Sequence, residues 1–166
     1  MTGWRRICCA VDFSDPSRSA LNEAADLARR FRAELTVIHV REDPGLVSAA
    51  RDAPPEPLRR AAAELEPKLA AWRAGAQLAA THPVHSAVLV GAPAAEILRF
   101  VARESFDLLV VATHGRTGIK HPVLGSVAER VVRDATCPVL VVRWPGAWAG
   151  KDRVREGGAR CSALPV

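Results

Sequence analysis

The sequence predicts an α/β domain built on a parallel, doubly wound sheet of five strands. Three observations carry that expectation. Five short, nearly continuous apolar runs have the form of strands covered on both faces. Stripes of apolar residues at helical period fill the segments between them. The two kinds of segment alternate along the chain, a pattern that calls for right-handed crossovers with helices on both sides of the sheet.

The first strand is expected over residues 7–11. Asp15 followed by Pro16 marks a helix start, because an aspartate caps free N–H groups and proline suits the first helical position. Ala20, Leu21, Ala24, Ala25, Ala28 and Phe31 then recur at helical spacing, with Glu23 and Asp26 ahead of Arg29, Arg30 and Arg32 in the order the macrodipole favours. Residues 35–40 repeat the buried-strand pattern, and 41–57, with Pro44, Gly45, Pro54 and Pro55, has the composition of a long loop. Leu58, Ala62, Leu65, Leu69 and Trp72 form a helical stripe that Pro67 is expected to kink or shorten.

Residues 84–90 read as the third strand, Gly91 and Pro93 as a turn and helix start, and Ala94, Ile97, Leu98, Val101 and Ala102 as the buried face of the next helix. The fourth strand is expected over 106–112 and a glycine-bearing loop over 113–125. A helix follows with Val127, Ala128, Val131, Val132 and Ala135 on one face, then a fifth strand over 138–143. Beyond Arg143 the chain has no period, and its four glycines and two prolines predict a flexible tail.

A chain of 166 residues supplies one ordinary domain, expected over residues 1–143 with a tail over 144–166. Hydrophobic residues at 49% and charged residues at 25% argue against a disordered or fibrous chain. Apolar runs such as 108–112 and 139–142 fall far short of the roughly 18 residues of a membrane span, so no membrane partner is expected. Arg5 and Arg6 precede the first strand without an apolar leader, and a cytoplasmic location is the expectation. Removing the tail's four cations and two acids from totals of 23 and 18 leaves 19 against 16, a scattered excess that does not call for a nucleic-acid surface. Cys8, Cys9, Cys137 and Cys161 lack metal or disulfide spacing, and the adjacent pair is expected to point to opposite faces of a strand as buried, reduced thiols.

In a doubly wound sheet, ligands bind at the carboxyl ends of the strands where the winding reverses. Two loops qualify there: Ala10-Val11-Asp12-Phe13-Ser14 after the first strand, and the glycine-bearing loop after the fourth, with the two strands as neighbours. Gly115, Gly118 and Gly125 let backbone N–H groups approach a phosphate, and the helix beginning at Ser126 offers unpaired donors and partial positive charge. A second interpretation stands beside this one: Ser126 and Glu129 have the spacing of a capping box, and the glycines shape turns. The loop is neither a P-loop nor the dinucleotide fingerprint. His82, His85 and His121 show no metal-binding pattern, and no metal site is expected.

At this loop the chain resembles the universal stress protein family, the UspA-like group, whose ATP-binding members share the pattern G-x2-G-x9-G-[ST]. Gly115, Gly125 and Ser126 match it, and Ala112 stands where the first glycine falls. The resemblance extends over Ile7 to Ser14, the A-E-L-T-V-I-H-V segment from Ala33, Val90-Gly91-Ala92-Pro93, and Cys137 to Val142, in order and at matching distances across residues 5–143. It implies a Rossmann-like sheet of the adenine nucleotide alpha hydrolase type, with strand order 3-2-1-4-5. It also implies that Ala10, Val11 and Asp12 meet adenine or ribose, that Val40 flanks the base, and that Gly115, Gly125, Ser126 and Val127, with Ala112 beside them, contact ribose and phosphates. Arg116 is a candidate phosphate partner by its guanidinium, and His114 a weaker candidate base.

The function expected on this basis is ATP binding, with Mg²⁺ as the accompanying ion, in a stress or signalling protein whose output is conformational. Two alternatives are a nucleotide-free dimeric interaction module, for which Ala112 is the motive, and a slow ATPase or phosphotransferase using Asp12, His114 or Ser126. The chain shows no recognisable acid, base or arginine finger for hydrolysis, and no catalytic residue is assigned. Family members pair through their fifth strands, and residues 138–143 form an apolar strand expected at the sheet edge, so a homodimer is expected.

Overall fold

A computed structural model describes residues 3–42, 56–113 and 124–143. The described elements run in the order β1 (Arg6–Ala10), α1 (Asp15–Phe31), β2 (Glu34–Glu42), α2 (Glu56–Ala63), α3 (Glu66–Gln77), β3 (Val84–Gly91), α4 (Pro93–Arg103), β4 (Leu108–Ala112), α5 (Ser126–Asp134) and β5 (Val139–Val142). All four strand pairings are parallel, and the sheet order is β3-β2-β1-β4-β5, as the resemblance implies. The expected loop over 41–57 and the tail over 144–166 lie largely or wholly outside the described residues.

Period-two alternation along each strand divides the interior into two layers. Ile7, Cys9 and Val11 join Leu35, Val37, Leu108 and Val110 beneath α1 and α3, with Ala20, Leu21, Ala24, Ala28, Leu69 and Trp72. Cys8 faces the other way, among Ile38, Leu109, Val111 and the α4 and α5 residues Ile97, Val101, Ala128 and Val131. Adjacent cysteines both at 0% exposure are what a central strand under two helical layers produces. Burial pushes both thiols well above the ordinary cysteine range, so they are neutral apolar filler.

The interrupted stripe at Pro67 resolves as two helices. α2 ends at Ala63, and α3 restarts with Leu65 as its N-cap and proline in its first turn, where a missing N–H costs nothing.

Four local expectations need correction. The N-cap of α1 is Ser14, not Asp15: its hydroxyl accepts from the Ser17 N–H, and Asp15 and Pro16 fall inside the first turn. Phe31 is 44% exposed; at the last residue of α1 it meets the Trp4 ring edge-on at 4.9 Å. On α4, Ala102 is exposed and Phe100 is buried, because the stripe through Ala94, Ile97 and Val101 centres on the 97/101 edge and places Phe100 inside it, against Phe106. Val132 on α5 is 48% exposed, since Ala128 and Val131 define the inward face.

Candidate functional site

The direction of winding reverses at β1 and β4. The crossovers from β1 to β3 place α1 and α3 on one face, whereas α4 and α5 cover the other. The carboxyl ends of the two strands bordering the reversal are where doubly wound sheets bind ligands, in a crevice between the flanking loops. Cys9 stands in register with Val110 on β4 and Val37 on β2. Beyond it the two walls are the turn after β1 and the approach from β4 to α5.

The turn after β1 is densely bonded. Val11 remains attached to β2, its N–H donating to the Ile38 carbonyl at 2.8 Å. Its own carbonyl lies 2.8 Å from Nδ1 of His39; a carbonyl only accepts, so Nδ1 carries the hydrogen and donates. The Asp12 N–H donates to Oγ of Ser17 at 3.3 Å. Oδ1 of Asp12 accepts from the Ser14 N–H at 3.1 Å and from the Ser14 hydroxyl at 2.5 Å. Asp12 thus does not cap α1; its carboxylate orients the serine that does.

Between Asp12 and Ser14, Phe13 has φ 65°, the left-handed region, which costs a bulky L-residue about 1–2 kcal/mol. Its ring is held at 4.3 Å from the His39 imidazole and 5.4 Å from Trp72, nearly perpendicular to the latter. Lys68 Nζ lies 4.4 Å from the Phe13 ring centre, and the Arg18 guanidinium stacks 3.5 Å from the Trp72 ring centre. None of Phe13, His39 and Lys68 was among the sequence-predicted site residues. A D-F-S-D-P-S turn signals no left-handed phenylalanine, and His39 reaches the turn from 28 residues away.

On the other wall, Ala112 ends β4 in register with Val142, and the Thr113 N–H donates to the Val142 carbonyl at 3.0 Å. The Gly125 N–H donates to the Thr113 carbonyl at 2.9 Å, which draws the start of α5 to the end of β4. Gly125, not Ser126, is the N-cap of α5, and a glycine brings no side chain of its own to the first-turn N–H groups. The capping box is therefore absent: Ser126 is the first helical residue and is exposed, and the Glu129 N–H makes the ordinary first helical bond to the Gly125 carbonyl at 2.8 Å. Gly125 has φ −61° and ψ 148°, open to any L-residue, so its backbone conformation does not account for the missing side chain.

Of the sequence-predicted residues, Ala10 and Val40 both pack against the α4/α5 layer, whereas Ala112 packs against the α1 layer with Val11, which is buried. Val127, partly buried, packs on the α4/α5 side. Asp12 sits at the mouth of the turn, half-buried. Gly115, Arg116 and His114 lie outside the described residues. Among the described residues no cluster of three or more His, Cys, Asp or Glu has metal-binding geometry, and no helix is long and apolar enough to cross a membrane.

The sheet order and paired loops define a fold of the adenine nucleotide alpha hydrolase type. Sequence comparison narrows the class: the profile of the universal stress protein family matches residues 3–143, and the chain belongs to that family. A universal stress protein of Methanocaldococcus jannaschii is 37% identical over 146 residues, covering 86% of this chain and 84% of its own. The solved UspA of Lactobacillus plantarum superposes with a TM-score of 0.73 at 26% identity, over 86% of this chain and all of its own. Two further solved structures share the fold and carry nucleotides. One is a universal stress protein in complex with cAMP (TM-score 0.66, 24% identity, 85% of this chain and 98% of its own). The other is that of Archaeoglobus fulgidus in complex with dAMP (TM-score 0.60, 23% identity, 84% and 98%).

Proposed function

We propose that this chain binds an adenine nucleotide, ATP in the first instance, in the crevice between the carboxyl ends of β1 and β4, and acts in stress response or signalling through a nucleotide-dependent conformation. The observation that carries this reading is the start of α5. Its cap residue is a glycine, which brings no capping side chain and which the backbone conformation does not require, and the Gly125–Thr113 bond anchors it beside the end of β4. The first-turn N–H groups of a helix have no partner within the helix, and they and the positive end of its dipole favour a phosphate there. Family relatives holding cAMP and dAMP support the same ligand class.

In this reading Asp12 accepts hydrogen bonds from the ribose hydroxyls, and Ala10, Val11 and Val40 form the apolar bed of the base. Gly125, Ser126 and Val127, with Gly115 and Arg116 of the preceding loop, receive the phosphates, Ser126 by its hydroxyl. Ala112 stands at the approach with a methyl group where ATP-binding members have hydrogen. Mg²⁺ arrives on the phosphates and keeps its waters, as suits an ion that is seldom caged by protein alone. No residue is assigned a catalytic role. The nucleotide-binding domain spans residues 1–143, with 144–166 as a tail, in a cytoplasmic protein. Two copies pair through residues 138–143, since β5 is an edge strand of the sheet.

The test is direct. Freshly purified protein is denatured and the released small molecules are identified by mass spectrometry, and nucleotide-free protein is melted with and without ATP and Mg²⁺. A ligand at one hundred times its Kd stabilises by roughly 2.7 kcal/mol, which raises the melting temperature by roughly 5–10 °C. No released nucleotide and no shift would leave the chain as a dimeric interaction module without nucleotide.

A further inference from the structure

Resting on the nucleotide reading, we propose that Phe13 is a positioning residue: it holds the Asp12 carboxylate in place for the ribose and couples occupancy of that site to α3 through Trp72.

Phe13 joins the ligand anchor to two elements at once, β2 and α3. Its backbone is the link between Asp12 and Ser14, whose hydroxyl and N–H both bond the Asp12 carboxylate. Its φ of 65° sets the direction in which those two residues face one another, and that conformation is unfavourable for a phenylalanine unless the ring is held. The ring is held on two sides: by the His39 imidazole of β2 at 4.3 Å, and by the edge-to-face contact with Trp72 of α3 at 5.4 Å. The same His39 donates to the Val11 carbonyl one residue before Asp12, so ring and backbone are fixed by one side chain.

On the α3 side, Lys68 lies over the Phe13 ring and Arg18 of α1 over the Trp72 ring, so the aromatic pair is enclosed by two cations from different helices. A shift of the Asp12 turn on engaging a ligand moves the Phe13 ring and has to be taken up at Trp72. A contact of this kind gives a conformational output without a mobile domain, because a packed ring pair has few alternative arrangements.

The experiment uses the full chain with Trp4, Trp144 and Trp148 changed to Phe, so that Trp72 is the single fluorophore. ATP with Mg²⁺ is titrated by calorimetry and by Trp72 emission in parallel, and 2′,3′-dideoxy-ATP is titrated as the comparison ligand. The expected result is a Trp72 change with the calorimetric Kd and a preference of at least tenfold for ATP over the dideoxy analogue. In Phe13→Leu, which keeps apolar volume but has no ring, that preference falls towards one and the Trp72 response is lost, while circular dichroism and cooperative melting persist. If Phe13→Leu does not fold, Phe13→Tyr and Trp72→Phe provide the same comparison: the first keeps both signals, and the second keeps binding with a preference reduced several-fold. Calorimetric binding without a Trp72 change, or an unaltered preference in Phe13→Leu, overturns the coupling alone. No heat from ATP with the parent protein overturns the nucleotide reading and the coupling with it.

Discussion

The Gly125 N–H donates to the Thr113 carbonyl at 2.9 Å, so the cap of α5 and the end of β4 are joined across the glycine-bearing loop. That bond uses the glycine's backbone alone, and its φ of −61° and ψ of 148° are accessible to β-branched residues. Gly125→Val is therefore expected to keep the bond, the helix and a melting temperature within about 2 °C of the parent, while its side chain obstructs the phosphate approach. Isothermal calorimetry with ATP checks it: a Kd raised at least a hundredfold is expected, and unchanged binding would move the phosphates away from α5.

Ser14→Ala separates two roles of one hydroxyl. It caps α1 through the Ser17 N–H at 3.3 Å and donates to Asp12 Oδ1. Loss of the cap is expected to cost about 1 kcal/mol, a fall of about 2–4 °C in a domain of this size. Loss of the donor to Asp12 is expected to weaken ATP binding several-fold. Ser14→Thr keeps the hydroxyl and should restore both, measured by melting and calorimetry on the same preparations.

Ala112→Gly restores the glycine that ATP-binding members of the family carry. Ala112 ends β4 paired with Val142 and is packed on the α1 side. The change removes one methyl and loosens the strand end, a destabilisation of about 0.5–1 kcal/mol. ATP affinity is expected to rise in spite of the lower stability, because the methyl no longer obstructs the approach of ribose or phosphate. Equal affinity in calorimetry would show that the alanine is neutral.

Much of this architecture is legible from residue type and order because its causes are local. Continuous apolar runs such as I-C-C-A-V signal strands covered on both faces, and Cys8 and Cys9 are indeed both fully buried on opposite sides. Pro67 marks the break between α2 and α3 because no long-range contact can supply the N–H it lacks. The choice of Ser14 over Asp15 as cap was not legible. Both offer an acceptor at the right place, and the decision rests on Ser17 returning a bond to the Ser14 backbone. Phe31 and Val132 fit apolar stripes by period yet are exposed, since a helix wheel does not show where the opposing sheet ends. The aromatic bracket at Phe13 was hidden for the same reason: its partners His39, Lys68 and Trp72 come from two later elements that only the folded sheet brings together.

The proposed dimer edge has a polarity that can be probed without breaking the hydrogen bonds between β5 and β4. Pro138 and Val142 direct their carbonyls to β4, accepting from Leu109 at 3.0 Å and Thr113 at 3.0 Å. In a parallel strand alternate residues bond the same neighbour, so Val139 and Val141 turn their backbone groups outward. Val141→Pro removes an outward N–H and leaves the β4 ladder bonded. Light scattering at micromolar concentration is expected to show a dimer for the parent and a monomer for this variant, and a monomeric parent would remove β5 from any interface.

Alkaline stability is expected to depend on the thiols, because the chain has no tyrosine and only Lys68, Lys120 and Lys151 as lysines. Burial raises the Cys8 and Cys9 thiols, and burial with the nearby Asp107 charge raises Cys137. In the unfolded chain these thiols ionise near pH 8.5, whereas in the folded chain they keep their protons, so above that pH the native state binds more protons than the unfolded one. Stability is then fully present below about pH 8.5 and declines as pH rises, by up to about 1.4 kcal/mol per pH unit for each fully buried thiol. Urea midpoints measured from pH 7 to pH 10 are expected to be level up to about 8.5 and then to fall. In Cys9→Ala the midpoint at pH 7 is lower, because a packed atom is lost, but the alkaline decline is shallower. An alkaline slope identical to the parent's would mean that the Cys9 thiol ionises in the folded protein as it does in water, which is incompatible with its place between β1 and the α1 layer.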